Sequence, residues 1–499
     1  MDRLRLVHPF FFAIIPILFL YSPNSNSTSL EVMLRPCLVL AALTLVPLLG
    51  LALLSRDREK AAIIVSLFWV LFFAYGYLLT IVKAMHRSAA SGWRFLWHPA
   101  FPILLFALFA IISFKVMRSR HAKELTNLAS FAGLCLFALQ LMKVVQVKFA
   151  ATPEFLRPPI QSASGPLRRP HIFYIVLDAY GRSDVLHELY QFDNGNFLDH
   201  LRQEGFYIAN ESHANYGQTY LSLASSLNFS YLDEVARWAR ESHETSVLSD
   251  FIQRSQLVNF LRAQGYRFVS FSSGVSFTEI KNADVFVNRW RFLTQFEYVL
   301  LLTTPVGQFA QTSRFQESLH RERLSYIFAH LPDYAASRTP VFVFAHILAP
   351  HEPFVFGEVG EAVDDTGSGG MTGAGPGLDY AVKYRRQIQF VTKRIQRTID
   401  EILAQSSELP IIVLQSDHGP APHPLGEFGN LRERMSILHA THLPDGGDAL
   451  LYPRITPVNT FRIILKHYFH ADLPLLADKT FYSAYDRPFK FVEVTDSMR

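Results

Sequence analysis

Apolar residues are distributed along this chain in two different ways. Up to about residue 150 they run in long unbroken blocks, near 7–22, 33–54, 61–82, 95–114 and 126–145. Most of these blocks approach the ~20 residues that a helix needs to cross a bilayer, and the first is the shortest. Beyond residue 170 the apolar runs are short and rich in β-branched and aromatic residues. His171–Asp178 (HIFYIVLD), Val341–His351 (VFVFAHILAPH) and Ile411–Gly419 (IIVLQSDHG) each stop abruptly at Asp or His, and Tyr266–Phe271 (YRFVSF) reads as a further strand. Residues 381–404 carry Ile388, Val391, Ile395, Ile399 and Ile402 at helical spacing with Lys and Arg between them, and lead directly into the strand at 411–416. Alternation of this kind predicts an α/β domain with a mostly parallel sheet and helices on both faces.

The boundaries follow from these patterns. Residues 1–147 predict a transmembrane domain of about five helices. Residues 148–170, rich in Pro, Ser and Ala, read as a linker, and 171–499 as one extracytoplasmic catalytic domain. The first apolar block is followed by SPNSNSTS, which offers no small-residue cleavage site, so it reads as a retained helix. Arg3, Arg5, Arg56, Arg58, Lys60, Lys115, Arg118, Arg120 and Lys123 fall on one side of the membrane, against Arg35, Lys83, Arg87 and Arg94 on the other. The side richer in basic residues is cytoplasmic, so five spans put the catalytic domain outside a plasma (inner) membrane crossed several times. Residues 297–302 (EYVLLL) could touch the membrane surface, but they are too short to span and read more readily as core of the second domain.

A net charge of +4 is too small and dispersed to argue for nucleic acid. The two cysteines, Cys37 and Cys135, lie in the membrane region, so the second domain holds no disulfide, thiolate metal site or cysteine nucleophile. In open parallel sheets ligands bind beyond the carboxyl ends of the strands. Three strands ending in Asp178, His351 and the Asp417–His418 pair would bring carboxylate and imidazole groups to one rim, the outline of a metal-dependent hydrolase or transferase. Residues 357–378 are glycine-rich but lack the Gly-Lys-Ser/Thr ending of a phosphate-binding loop, and read as a disordered surface loop more readily than as a mobile lid over the rim beside His351.

Taken in order, VLDAYGRSDVL (176–186), NYGQTYLSLASSLN (215–228), HILAPHEPF (346–354) and LQSDHGP (414–420) resemble the alkaline phosphatase superfamily. Within it they resemble the membrane-anchored sulfatase-like branch of lipoteichoic acid synthases and phosphoethanolamine transferases. The resemblance implies roles for particular positions. Asp178, Asp417 and His418 match metal ligands, Thr219 matches a nucleophile that is also a ligand, and His351 matches a histidine contacting the substrate's phosphate or sulfate. Such a donor set suits Mn²⁺, Mg²⁺ or Zn²⁺.

Departures from the sulfatase pattern steer the reading. Sulfatases need a Cys or Ser converted to formylglycine in a Cys-x-Pro-x-Arg context, whereas this chain has Thr219-Tyr-Leu-Ser-Leu223. The stretch GYRFVSFSSGVSF at 265–277 also lacks the Lys and His that sulfatases place there. A threonine cannot form the geminal diol of sulfatase chemistry. The expectation is therefore transfer of a phospho-alcohol headgroup from a membrane lipid donor to an acceptor hydroxyl of a lipid or envelope glycan, through phosphothreonine. Hydrolysis of sulfate or phosphate esters is the first alternative, and a catalytically degenerate membrane interaction protein the second. His346 reads as a core residue inside its strand. His423, His439 and His442 read as structural more readily than as a second metal site, and Arg182, Arg432 and Arg434 read equally as headgroup-binding or as ordinary surface charge.

Overall fold

The architecture comes from a computed structural model that describes residues 6–24, 30–87, 94–149, 169–239, 245–275, 277–289, 295–307, 315–363, 378–420 and 431–498. The chain divides into two compact units, Met1–Ala151 with Trp290–Gln316, and Thr152–Arg289 with Glu317–Arg499.

The first unit holds helices α1 (His8–Asn24), α2 (Leu34–Ser55), α3 (Arg58–Arg87), α4 (Arg94–Arg118) and α5 (Ala122–Phe149). Four of them, α2 to α5, are long and apolar enough to cross a membrane. The expected five spans are corrected on this point: α1 has only 17 residues, because the polar run after Tyr21 ends it at Asn24. Its length of about 26 Å lies at the lower limit for a span. Ala13, Ile17, Leu18 and Tyr21 of α1 are buried with Leu40, Val65, Trp69, Phe73 and Val144. Leu53, Leu54, Phe106 and Phe131 point outward and are exposed. An apolar exterior of this kind suits hydrocarbon rather than water.

Residues 297–302 also differ from expectation. The helix Gln295–Leu302 is not core of the second unit: Phe296 and Leu300 join the apolar cluster of α1, α2 and α3. The Gly76 amide donates to the Thr303 carbonyl (2.9 Å), and the Glu297 carboxylate pairs with the Arg35 guanidinium. An eight-residue helix has too few turns for a period that distinguishes burial in a sheet domain from burial in a helix bundle.

The second unit is built on a seven-stranded sheet: β1 (Ile172–Leu177), β2 (Tyr207–Ile208), β3 (Arg267–Phe271), β4 (Val285–Val287), β5 (Val341–Ile347), β6 (Ile411–Gln415) and β7 (His439–His442), in the order β2-β7-β6-β1-β5-β3-β4. The run β6-β1-β5-β3-β4 is parallel, while β7 lies antiparallel to β6 and β2 antiparallel to β7. The sheet is therefore mixed but mostly parallel, with apolar layers on both faces, as the sequence pattern predicts. Alternation along each strand sorts the layers. Ile172, Tyr174, Val176, Phe342, Phe344, Ile411 and Val413 face the helices Thr219–Asn228 and Pro457–Phe469. Phe173, Ile175, Leu177, Val343, Ala345, Ile412 and Leu414 face the helix Leu378–Gln405 through Ile388, Val391, Ile395, Ile399 and Ile402. The central strand β1 pairs Val176 with His346 of β5 and with Gln415 of β6. The carboxyl ends of these three strands thereby meet.

Candidate metal centre

Counting by twos from the first layer reaches Asp178 from Val176, His346 from Phe344, and Asp417 from Val413 through Gln415. Period-2 alternation thus sends all three toward the same face. Asp178, His346, Asp417 and His418 are all at most 4% exposed. One donor atom from each of Asp178, His346 and Asp417 lies within 4.8 Å of the others. His418 Nε2 is 3.6 Å from Asp178 Oδ1 and 3.3 Å from Asp417 Oδ2, and His346 Nε2 is 3.3 Å from Asp178 Oδ2.

Each side chain is held from behind. The His418 Nδ1–H donates to the Gly419 carbonyl (3.0 Å), so its Nε2 lone pair faces the carboxylates. A ring nitrogen committed in this way fixes the tautomer of a ligating histidine. Ser416 Oγ donates to the His418 carbonyl and accepts from the Tyr180 amide. The Ala179 amide points at Asp417 Oδ1 (3.3 Å), and Ala179 takes a left-handed φ of 63° to make that turn. Strain at a non-glycine residue of this kind persists only where surrounding contacts enforce it. Gly419 has no alternative: a Cβ there would lie 2.1 Å from the Glu433 carbonyl oxygen.

Thr219 opens its helix, and its Oγ1 lies 3.1 Å from His418 Nε2. Beneath it, Gln415 Nε2 donates to Tyr174 Oη (2.9 Å), which donates to Ser226 Oγ (3.1 Å). This buried polar string ties β6 and β1 to the Thr219 helix. Arg434 is buried, donating Nε to the Gly217 carbonyl (2.7 Å) two residues before Thr219 and a terminal nitrogen to Tyr485 Oη (3.0 Å). His351 sits half-buried at the same rim, its ring centre 6.2 Å from that of His418. Its amide donates to the Asp178 carbonyl (3.1 Å) and its Nδ1–H to the Glu352 carbonyl (2.6 Å).

The electrostatics are those of two carboxylates sharing one buried space. Burial opposes charge on Asp178, but the neighbouring imidazoles of His351, His346 and His418 outweigh it and pull its carboxyl well below the usual range. Burial, then the Asp178 charge, push Asp417 upward. Burial, then the Arg434 charge, hold His418 well below an ordinary imidazole. Asp178 Oδ1, Asp417 Oδ2 and His346 Nε2 are buried without a hydrogen-bond partner. Lone pairs left facing one another in a buried space are costly, and a cation relieves them. The donor set therefore fits a divalent metal ion.

The structure brings Asp178, Thr219, Asp417 and His418 together, with His351 beside them. Sequence reasoning missed His346 and Arg434. The alternation from Phe344 could have flagged the histidine, whereas no pattern marked the arginine. His439 is buried between Ser212 Oγ (3.0 Å) and Thr460 Oγ1 (3.2 Å), and the His442 Nδ1–H donates to the Pro410 carbonyl (2.7 Å), so both serve packing. Arg182 and Arg432 both pair with Asp184. His423 and residues 364–377 of the glycine-rich stretch lie outside the described residues.

Comparison with known proteins follows the same lines. The family described as Sulfatase matches residues 170–462. No curated protein sequence matches the chain significantly. Among solved structures, the chain is similar to the C-terminal periplasmic domain of EcEptC from Escherichia coli in complex with Zn (12% identity, TM-score 0.45, covering 68% of this chain and 96% of that one). It is also similar to the integral membrane protein lipooligosaccharide phosphoethanolamine transferase A from Neisseria meningitidis (11%, TM-score 0.40, covering 94% and 95%). A third is a putative sulfatase from Bacteroides fragilis (14%, TM-score 0.37, covering 65% and 83%).

Proposed function

The chain belongs to the sulfatase family of the alkaline phosphatase superfamily, and from that premise we propose that it is a membrane-bound, metal-dependent phosphotransferase. It moves a phospho-alcohol headgroup from a lipid donor to an acceptor hydroxyl through a phosphothreonine on Thr219. The observation that carries this reading is the position of Thr219: a half-buried hydroxyl at a helix start, within hydrogen-bonding distance of His418 and beside two carboxylates with unpartnered oxygens.

Asp178, Asp417, His418 and Thr219 would hold the ion, with Mn²⁺, Mg²⁺ and Zn²⁺ all suited to these donors. When bound, it supplies charge neutralisation and lowers the pKa of a coordinated hydroxyl. Thr219 Oγ attacks the donor phosphorus, and the bond from phosphorus to the diacylglycerol oxygen breaks. The threonine proton ends on that departing oxygen. The helix start under Thr219 directs amide N–H groups toward the phosphoryl oxygens. His351, at the rim, holds the nonbridging oxygens. An acceptor hydroxyl then attacks the phosphothreonine ester, and its proton returns to Thr219 Oγ.

The membrane unit supports an extracytoplasmic location. The Gln295–Leu302 helix meets the end of α1, the start of α2 and the later half of α3, the end of the bundle opposite the nine-residue basic side. A chain segment inserted in the catalytic sequence thus returns to the non-cytoplasmic end.

Hydrolysis of a sulfate or phosphate ester is the second reading, favoured by the family match over 170–462. Vesicles containing a headgroup-labelled phospholipid, incubated with the full chain, Mn²⁺ or Zn²⁺ and a soluble alcohol acceptor, separate the two. Transfer predicts labelled headgroup on the alcohol; free phospho-headgroup as the sole product would contradict it.

A further inference from the structure

His346 is a buried group at the rim that the mechanism above does not use. Its Nδ1 lies 3.2 Å from Thr278 Oγ1. The threonine hydroxyl has its own acceptors in the Val275 carbonyl (3.2 Å) and Ser273 Oγ (2.8 Å). With the threonine proton directed there, Thr278 Oγ1 accepts the Nδ1–H of His346. The Nε2 of His346 is then a bare lone pair, buried, without a hydrogen-bond partner and aimed at two carboxylates.

A histidine serving only to anchor a carboxylate would donate Nε2–H at the usual ~2.9 Å of an N–H···O bond. Here the separation from Asp178 Oδ2 is 3.3 Å, close to the 3.3 and 3.6 Å that separate His418 Nε2 from Asp417 and Asp178. Donors about 2.1 Å from a common ion lie about 3.0 to 3.6 Å from one another at the angles of four- or five-coordinate geometry. The two histidines thus flank Asp178 in the same way, one on each of its oxygens. The second-layer arrangement is also the same, with Nδ1–H committed to an oxygen in each ring (Gly419 carbonyl, Thr278 hydroxyl).

We propose that His346 is a metal ligand through Nε2, adding a second imidazole to Asp178, Asp417, His418 and Thr219, and that Thr278 is its positioning residue. The proposal rests on the metalloenzyme reading and deepens it. It places one ligand on β5, one just beyond β1, two beyond β6 and one at the start of the Thr219 helix.

The test uses the detergent-solubilised full chain loaded with zinc, read by X-ray absorption at the zinc edge and by competition with a chelator. Wild type should show two imidazoles per zinc and His346→Gln one, with zinc affinity falling at least about tenfold. His351→Gln should retain two, and Thr278→Val should weaken zinc while keeping both. One imidazole in wild type, or an unchanged count in His346→Gln, would overturn the ligand assignment even if affinity fell. Wild-type protein that binds zinc with one imidazole leaves the metalloenzyme reading standing; wild-type protein that binds no zinc sinks both.

Discussion

At the scale of single residues, the site depends on where a few lone pairs point. Asp178, Asp417 and His418 were legible in the sequence because apolar strands ending at Asp or Asp-His leave those groups at the carboxyl rim, where the fold puts chemistry. His346 was not, since a histidine two positions inside an apolar strand looks like core until its parity with Asp178 is counted across β1 and β5. Arg434 was illegible for another reason. Its sequence neighbourhood offers only surface charge or a headgroup contact, yet the fold buries Arg434 against the Gly217 carbonyl. Gly419 gives a sharp prediction at this scale. Its missing Cβ would lie 2.1 Å from the Glu433 carbonyl, so Gly419→Ala must displace backbone and with it the acceptor that fixes the His418 tautomer. The variant should lose about tenfold or more in zinc affinity, the scale of a disrupted outer-shell contact. A chelator titration checks this; an affinity equal to wild type would show that the turn tolerates the methyl.

Elements were read with uneven success, and the reason is periodicity. Ile388, Val391, Ile395, Ile399 and Ile402 recur at helical spacing and form the buried stripe of Leu378–Gln405. The strands β1, β5 and β6 stood out by their β-branched runs. By contrast, α1 was hard to score because its 17 residues lie at the edge of spanning length. Gln295–Leu302 is too short to carry any period. Its attachment to the helical unit rests on Phe296, Leu300 and the ion pair of Glu297 with Arg35. Arg35 is about half exposed, so the pair contributes about 1 kcal/mol or less. Arg35→Glu and Glu297→Arg should each lower the melting temperature of the detergent-solubilised chain, and the double exchange should recover most of the loss. Additive losses in the double variant would mean that the two charges do not communicate.

At the scale of the whole molecule, buried neutral histidines set how stability responds to pH. Burial, then the Arg323 charge, hold His320 down at about 3, and burial holds His439 at about 4. Both lie below the ordinary 6.5, so the unfolded chain takes up protons first as the solution is acidified. Their contribution is complete above pH of about 6.5 and is lost as pH falls toward 4, at about 1.4 kcal/mol per pH unit for each ring. Melting of the full chain should therefore shift downward between pH 7 and pH 5, and His439→Gln should flatten the slope. A melting temperature that rises on acidification would reverse the sign. The catalytic account makes one demand above all others, a covalent bond between Thr219 and the headgroup phosphorus. The direct measurement is mass spectrometry of the full chain, acid-quenched after mixing with Mn²⁺ or Zn²⁺ and donor phospholipid vesicles. The account predicts a phospho-headgroup adduct on the peptide containing Thr219, absent from Thr219→Ala and absent when a chelator is present. Headgroup release at the wild-type rate by Thr219→Ala, with no adduct on the wild-type peptide, would contradict it.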